Sequence, residues 1–569
     1  MNPYCNHQYN QKPFFKQLIT SINLTLIYSL LGIAFYFRTI NSFFISDDFV
    51  WIKALINQGP FFQWVYQGDW IKFSFIRPLI SVSFFLDYKL WGLNPTGFHL
   101  TNILFHAANS CLVFFCTGAL LDRLNFKTQS TETRLLFQML AGFLFLVLPS
   151  HTEAVSWISA RTDLISTFFS LITFYTYCIF RKTDQTKYYW VAVVSFGFAL
   201  FSKESTIILP FVLIVYDLYF WISEPGHKFS LKKFLIRLST FVIQDLVYLL
   251  IRYIALNSFV GGYGLYFHTQ FQPKKLVLNL FILIIRTFIP YWPIEILPSS
   301  RLFLGAYFAT IFRVFLVSIV LFIIILGFKI AAYFRNSQPD QRRKQEIYLL
   351  FFLWIIFVIS LLPAINFRIS VDGVGGERLT YLASAFGTIF LTIMLGVLFR
   401  KDGKRIVYSG LVVIFLSCLF LFRANENWRV AGEITKSILA SLLENKPSTR
   451  LLILSMPQNI RGAGVFGIGI EEALYLYGGD KIYKDIQIVS IASLFSIDDF
   501  VKPIGNGNQF IIHLNGNNSF FLGVKKPLNS ISISVDEIKD NNYRLIIGDT
   551  KEYNQIDTYS KGKLIPCCK

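Results

Sequence analysis

The sequence predicts a polytopic α-helical membrane protein with about eleven transmembrane helices and a small C-terminal α/β domain outside the bilayer. Three observations carry that prediction. The 569 residues are 54% hydrophobic and only 15% charged, against about 25% charge in a soluble domain. Uncharged or nearly uncharged runs of transmembrane length recur along the first three quarters of the chain. From Ala424 onward the composition changes to short β-type segments bounded by Gly, Asn and Pro.

The runs are Leu18–Phe37, Leu100–Leu121, Leu135–Pro149, Leu164–Phe180, Tyr188–Ser202, Ser205–Ser223, Phe234–Leu256, Gly305–Phe328, Ile347–Phe367, Leu379–Phe399 and Ile406–Phe422. Leu276–Ile294 contains Arg286 and two prolines. The loops "DRLNFKTQSTETR", "RKTDQTK", "HKFSLKKFLIR", "KIAAYFRNSQPDQRRK" and "RKDGKR" are rich in Lys and Arg, which favours the cytoplasmic side. Eleven spans put all five on one side, so Leu276–Ile294 is expected to be interfacial or re-entrant within a long outer loop, 257–304. The expected order is a cytoplasmic N-terminus at 1–17, a membrane domain at 18–423 with a first outer loop at 41–98, and an outer α/β domain at 424–569. The first apolar run lacks a small-residue cleavage site and reads as a retained helix.

The net charge of +19 does not point to nucleic acid, because the basic residues lie between apolar runs and serve topology. The seven cysteines have no metal spacing and form no visible disulfide framework. In the C-terminal part, "RLLILSMP", "QFIIHLNG", "SFFLGV", "SISISV" and "YRLIIGD" read as strands, and "GIEEALYLYGG" as a short helix.

On this topology the polar groups collect on the outer face. Asp47 and Asp48 follow the first span. His99, Asn102 and His106 open the second. "PSHTEAVSWISARTDL" turns between the third and fourth, "SKES" between the fifth and sixth, and "GGERLTY" leads into the tenth. Each has a structural reading beside the functional one. The aspartates could be a solvated loop, and the histidine stripe at i, i+3, i+7 could bond neighbouring helices. Glu153, Trp157 and Arg161 at i, i+4, i+8 would share a helical face, with each charge finding a structural partner. Lys203–Glu204 and Glu377–Arg378 could be interfacial charge pairs, and Asp245 could pair with Arg252. No HExxH or Cys/His quartet is present, so zinc is poorly supported. Together the groups have a stronger meaning. Carboxylates offer a general base, while Arg161, Lys203, Arg252 and Arg378 offer a cradle for a phosphate.

"SDDFVW", "RPLISVSFFLDYKLWGLNPTGFHLTNILFHAAN", "LPSHTEAVSWISARTDLIS", "FSKESTIILP" and "GGERLTYLASA" together resemble the GT-C membrane glycosyltransferases, in particular the transmembrane, tetratricopeptide-repeat O-mannosyltransferases and their bacterial relatives. The resemblance covers about residues 18–430. It departs from those proteins in the absence of tetratricopeptide repeats after the last span, in Pro149-Ser150-His151 and in "YLAS". The resemblance implies a polyprenyl-phosphate sugar as donor substrate and an inverting transfer of a hexose such as mannose to a protein, lipid or glycan hydroxyl. It also implies that Asp47 and Asp48 are catalytic. Lys203 and Arg378 would contact the donor phosphate, and Glu153 would be the acid of the second outer loop. The wider set of candidate substrate-binding residues is Arg77, His99, His106, His151, Glu153, Arg161, Asp163, Lys203, Glu204, Arg252, Glu377, Arg378 and Tyr381. A divalent metal is left open, no nucleic-acid partner is expected, and the expected compartment is a bacterial inner membrane with a periplasmic site. The alternatives are a transporter or flippase of a lipid-linked or anionic substrate, which would place polar groups at midplane on broken helices, and a lipid A amino-sugar transferase, which shares the donor chemistry.

Overall fold

The computed structural model describes residues 14–57, 75–122, 131–223, 230–261, 272–289, 341–367, 375–398, 403–444, 450–479, 485–494, 500–504, 509–515, 520–524, 533–538, 542–547 and 555–568. The expected run Gly305–Phe328 lies outside these residues, as do most of the loop following Leu121 and the loop preceding Gln341.

Among the described residues, eight helical segments are long and apolar enough to cross a membrane, and a bent pair, Glu132–Leu146 with Pro149–Ser156, would make a ninth. The chain is therefore a multi-pass membrane protein. The helices that frame the site are α1 (Phe14–Ile40), α2 (Asp47–Asn57), α3 (Pro78–Trp91), α4 (Pro95–Leu121) and α5 (Thr131–Leu146). They continue with α6 (Thr152–Ser156), α7 (Arg161–Thr183), α8 (Thr186–Leu200), α9 (Leu209–Ser223) and α10 (Leu231–Leu256). The last five are α11 (Pro273–Phe288), α12 (Gln341–Leu361), α13 (Tyr381–Leu398), α14 (Gly403–Glu444) and α15 (Ile470–Gly478). The run Tyr188–Ser202 forms α8, which has 15 residues and is shorter than the eight, and it returns along α7 so that Lys203, just past its end, meets Asp163 at the start of α7. Helix α11, in the ambiguous run, has 16 residues and is not among the eight.

Local sequence sets several boundaries. Asn94 caps α4 by accepting from the Thr96 amide at 3.1 Å, with Pro95 in the first helical position where its missing N–H is harmless. Asn257 ends α10 in the left-handed region, φ 49°. The expected single helical stripe Glu153–Trp157–Arg161 does not form. Trp157 adopts extended backbone, φ −89° and ψ 115°, between α6 and a 3₁₀ turn at Ile158–Ala160, and α7 starts only at Arg161. That break turns Glu153 and Arg161 to different neighbours and frees the Ser159 amide for use outside the helix.

The change of composition at Ala424 falls inside α14, whose 42 residues run on to Glu444, and the sheet begins at Arg450. Ten strands follow. They are β1 (Arg450–Ile460), β2 (Ala463–Gly464), β3 (Asp485–Leu494), β4 (Phe500–Ile504), β5 (Gln509–Asn515), β6 (Phe520–Val524), β7 (Ile533–Ile538), β8 (Asn542–Ile547), β9 (Gln555–Ser560) and β10 (Lys563–Cys568). The order is β6-β3-β1-β9-β4-β5-β8-β7, with β10 on β9 and β2 on β1. β1 is central and parallel to both β3 and β9. Its Leu451–Leu454 run is accordingly buried throughout rather than alternating.

The described chain has two apolar cores. One lies among the membrane helices and includes Ala107, Phe174, Phe196 and Phe386. The other joins Phe44, Phe49 and Ile52 to Ala431, Ile434 and Ile438 of α14, and to Leu451, Ile453 and Phe466 of the sheet. The segment entering α2 is thus packed against the C-terminal domain. Gly432 permits this contact: a Cβ there would lie 2.8 Å from the Phe43 amide nitrogen and 3.3 Å from its carbonyl oxygen. A Gly432→Val variant is expected to lose about 1–3 kcal/mol through overpacking, read as a lowered unfolding midpoint of the purified protein.

Candidate active site

The segment Asn41–Ser46 descends from α1 and turns into α2. Ser46, at φ 44°, is a non-glycine residue in the left-handed region, a conformation that persists only where the surroundings enforce it. His99 Nε2 donates to the Ser42 carbonyl at 3.0 Å, and the Ser46 amide donates to the Val465 carbonyl at 2.8 Å.

The two aspartates then part. Asp48 is buried. Its Oδ2 accepts from the Ile45 amide at 3.0 Å, and its Oδ1 accepts from the Ser159 amide at 2.8 Å and the Ser159 hydroxyl at 2.5 Å. Burial pushes this carboxyl up to about 7 despite those three donors. Asp47 is half-buried and accepts from the Ser46 hydroxyl at 3.0 Å. Burial raises its carboxyl above the ordinary range, opposed by that hydroxyl and by the charge of Arg378. Asp47 is therefore within the influence of the Arg378 charge, whereas both oxygens of Asp48 are taken up in tying two loops together.

Arg378 is the centre of that cluster. Its Nε lies 3.3 Å from Glu153 Oε1 and its Nη1 3.8 Å from Asp163 Oδ2, and its guanidinium sits 4.8 Å from the Trp157 ring centroid. The Arg378 amide also donates to Glu153 Oε2 at 3.0 Å. Lys203 forms an ion pair with Asp163 Oδ1, so Asp163 bridges Lys203 and Arg378. Glu204 pairs with other cations. It takes Arg77 in a two-pronged contact, at 2.5 and 3.1 Å, and lies 3.7 Å from Arg252. Arg252 also donates to the Tyr248 hydroxyl at 3.2 Å and to the Phe259 and Val260 carbonyls at 2.8 Å each, a different set from the expected Asp245 pairing.

Beside this network lies a cavity of about 240 Å³. Asp163, Lys203, Glu204 and Arg252 line one part of it. Leu249, Phe259, Pro363, Leu379 and Leu382 are among its apolar walls.

The other sequence-predicted residues are not among those lining this cavity. Arg161 is fully buried. It reaches Asp87 at 2.6 Å, Ser83 at 2.9 Å and the Phe98 carbonyl at 3.1 Å, and stacks over Phe84 at 4.2 Å. Glu377 pairs with Arg286 of α11, not with its neighbour Arg378. His106 Nε2 can only donate to the Leu146 carbonyl at 3.0 Å, so its Nδ1 accepts from the Tyr381 hydroxyl at 2.7 Å. Ser384 Oγ donates to the Tyr381 carbonyl at 2.6 Å, so His151 Nε2 donates to Ser384 Oγ at 2.7 Å. With Asn109 donating to the Tyr381 hydroxyl at 3.2 Å, these groups form a knot between α4, α13 and the turn after α5. Asn102 likewise spends its amide on the Val155, Trp157 and Ile158 carbonyls.

Sequence reasoning missed Ser46, Asp87, Ser159 and Arg286. Asp87 and Arg286 had a signal, each being a charge within an apolar segment. The serines had none. Among the described residues no group of three His, Cys, Asp or Glu is arranged to hold a metal, and the engaged oxygens of Asp48 do not form a ligand pair with Asp47.

Residues 131–251 match the family described as dolichyl-phosphate-mannose-protein mannosyltransferase. By sequence, the chain is similar to the TMTC protein O-mannosyl-transferases. It is 29% identical over 215 residues to protein O-mannosyl-transferase tmtc2 of Xenopus laevis, covering 34% of this chain and 24% of that one. It is 32% identical over 152 residues to TMTC4 of Homo sapiens, covering 25% of this chain and 20% of that one. The chain thus spans about a quarter of the length of these relatives. Among solved structures it is similar to the Archaeoglobus fulgidus oligosaccharyltransferase in complex with Zn and sulfate, with TM-score 0.41 and 11% identity over 88% of this chain and 74% of that one. It is also similar to ArnT from Cupriavidus metallidurans bound to undecaprenyl phosphate, with TM-score 0.39 and 10% identity over 93% and 98% of the two chains. The matched family segment contains Glu153, Asp163, Lys203 and Glu204, while Asp47, Asp48 and Arg378 lie outside it.

An Arg161→Ala variant should lose about 3–5 kcal/mol of stability, because Asp87 would be left buried without its cation. Thermal unfolding in detergent would check this, with Lys89→Ala on α3, the helix of Asp87, as the comparison that should barely move.

Proposed function

We propose that the chain is an inverting glycosyltransferase that moves a sugar, a hexose such as mannose, from a polyprenyl-phosphate donor to a protein hydroxyl on the outer face of the membrane. The single observation that carries the reading is the cavity beside Asp163, Lys203 and Arg252, with apolar walls on its other sides. Such a cavity suits a phosphate attached to a lipid. The match of residues 131–251 to a dolichyl-phosphate-mannose family supports the donor class, and the similarity to protein O-mannosyl-transferases supports a protein acceptor. On this reading the basic loops are cytoplasmic, and the site and the C-terminal domain face outward, in a bacterial cell toward the periplasm.

In the proposed step, Asp47 takes the proton of the acceptor hydroxyl as its oxygen attacks the anomeric carbon from the face opposite the phosphate. The bond from that carbon to the phosphate oxygen breaks, the configuration inverts, and the charge gathering on the phosphate is met by Lys203 and Arg252. Arg378, held by Glu153 and Asp163, fixes the field between base and leaving group. Asp48 shapes the loop and is not the base that receives the acceptor proton. The transporter alternative finds less support, since these polar groups are locked in ion pairs at one end of the helices.

Asp47 must be ionised to act as a base. Its carboxyl is raised, so the acid limb of the pH–rate profile should lie above the ordinary carboxylate range, with transfer falling as pH drops through it. Asp47→Asn should reduce transfer by about 10²–10⁴-fold and abolish that limb, while donor binding persists. Native rates in this variant, assayed with polyprenyl-phosphate mannose and serine- and threonine-containing peptides, would overturn the assignment.

Lys203→Met should weaken donor binding by about 2–5 kcal/mol, measured by titration of polyprenyl-phosphate mannose onto the purified protein. Unchanged affinity would move the phosphate away from this cavity.

A further inference from the structure

The C-terminal sheet has no part in the step above, yet one of its turns touches the residue next to Asp47. The stretch "RGAGVFGIG", residues 461–469, contains four glycines. Three of them surround Ser46. A Cβ on Gly464 would lie 3.9 Å from Ser46 Cβ, one on Gly467 would lie 3.6 Å from Ser46 Oγ, and one on Gly469 would lie 2.3 Å from the Ser46 carbonyl oxygen. Gly469 itself sits at φ +89° and starts α15. Within the same turn, the Val465 carbonyl accepts the Ser46 amide at 2.8 Å. Phe466 stacks on Phe49, with centroids 5.8 Å apart and planes 17° apart. Tyr477 of α15 packs on Phe43 at 5.5 Å, and Lys53 lies 5.0 Å from the Tyr475 ring centroid.

We infer that this glycine-rich turn is a positioning element for Asp47: it grips Ser46 in its left-handed conformation, and Ser46 in turn orients the Asp47 carboxylate through its hydroxyl. Gly469 is required because it approaches the Ser46 carbonyl more closely than a side chain allows, while Gly464 and Gly467 lie at ordinary contact distance. Two hydrogen bonds in series, Val465 to the Ser46 amide and the Ser46 hydroxyl to Asp47 Oδ1, run from the sheet to the carboxylate. Gly469 and Ser46 are positioning residues, not catalytic ones. The extramembrane domain thereby becomes part of the transfer machinery, and a change in the domain reaches the base without touching donor or cavity.

This inference rests on the proposed role of Asp47, and its test separates the two. Full-length Gly469→Ala, in nanodiscs, should show faster amide exchange across residues 43–49. Its kcat for mannose transfer from polyprenyl-phosphate mannose to serine- and threonine-containing peptides should fall about 100-fold, the scale expected for a misplacement of about 1 Å. Its KM for the donor should be unchanged. Gly479→Ala is the control: it is also at positive φ, +78°, in the same domain, but nothing lies within 4 Å of its Cβ, so its rate should stay native. Loosened exchange with an unchanged kcat would overturn the positioning role and leave the function intact. Native rates in Asp47→Asn would instead overturn the function. If Gly469→Ala does not fold, exchange in the native protein decides. Protection of residues 43–49 and 462–469 should be lost together on adding denaturant, and independent opening of the two would overturn the inference.

Discussion

The buried carboxylate of Asp48 is the constraint on which the site's shape depends. A carboxylate removed from water must be satisfied by donors held at fixed positions. Here those donors come from two segments, Ile45 and Ser159, more than a hundred residues apart in the chain. Satisfying one group therefore docks the entry to α2 against the turn between α6 and α7. Trp157 and Glu153 belong to the same turn, and so the Arg378 cluster is brought opposite Asp47. The broken helix at Trp157 follows from this: an unbroken helix would keep the Ser159 amide for itself.

The rest of the site follows one electrostatic rule. Charge at the edge of an apolar medium is tolerated when it is paired. Asp163 stands between Lys203 and Arg378, Glu204 between Arg77 and Arg252, and Glu377 against Arg286. Each pair links elements distant in sequence, so the network both fixes the helices at this face and holds the cations beside the cavity. The His106–Tyr381–His151 knot has a different character. Its hydrogen bonds tie α4 to α13 and to the turn after α5, with His151 Nδ1 and Asn109 Oδ1 buried beside it.

The membrane class and the spans around α4, α7, α9, α10 and α13 could be read from the sequence, because long uncharged runs have few alternatives. The C-terminal strands β1, β5, β6, β7 and β8 could also be read from their β-type residues and turn punctuation. The 3₁₀ turn at Ile158 was hidden, since its residues fit a helical period and only the distant Asp48 breaks it. Adjacent charges misled in the same way. Lys203–Glu204 and Glu377–Arg378 look like local pairs, but neighbouring side chains on a helical turn diverge and each found a partner on another element. The three glycines around Ser46 gave no warning, because the close approach they permit is to a residue more than four hundred positions earlier.

Helix α14 carries a further consequence. Its 42 residues make a rod about 63 Å long at ~1.5 Å per residue, roughly twice the hydrocarbon thickness of ~30 Å. One end lies among lipid-facing positions such as Leu411 and Phe415, and the other is packed under the sheet through Ile434, Ile438 and Leu442. Such a rod acts as a keyed shaft. Adding or removing one residue between the bilayer and Gly432 would turn everything beyond it by about 100°, carrying the glycine away from Phe43 and bringing Ala431 or Glu433, each with a Cβ, into its place. The spacing between membrane and sheet can then change with little loss of phase only in steps of about seven residues (two turns) or about eleven (three turns), so indels in this stretch should come in such lengths.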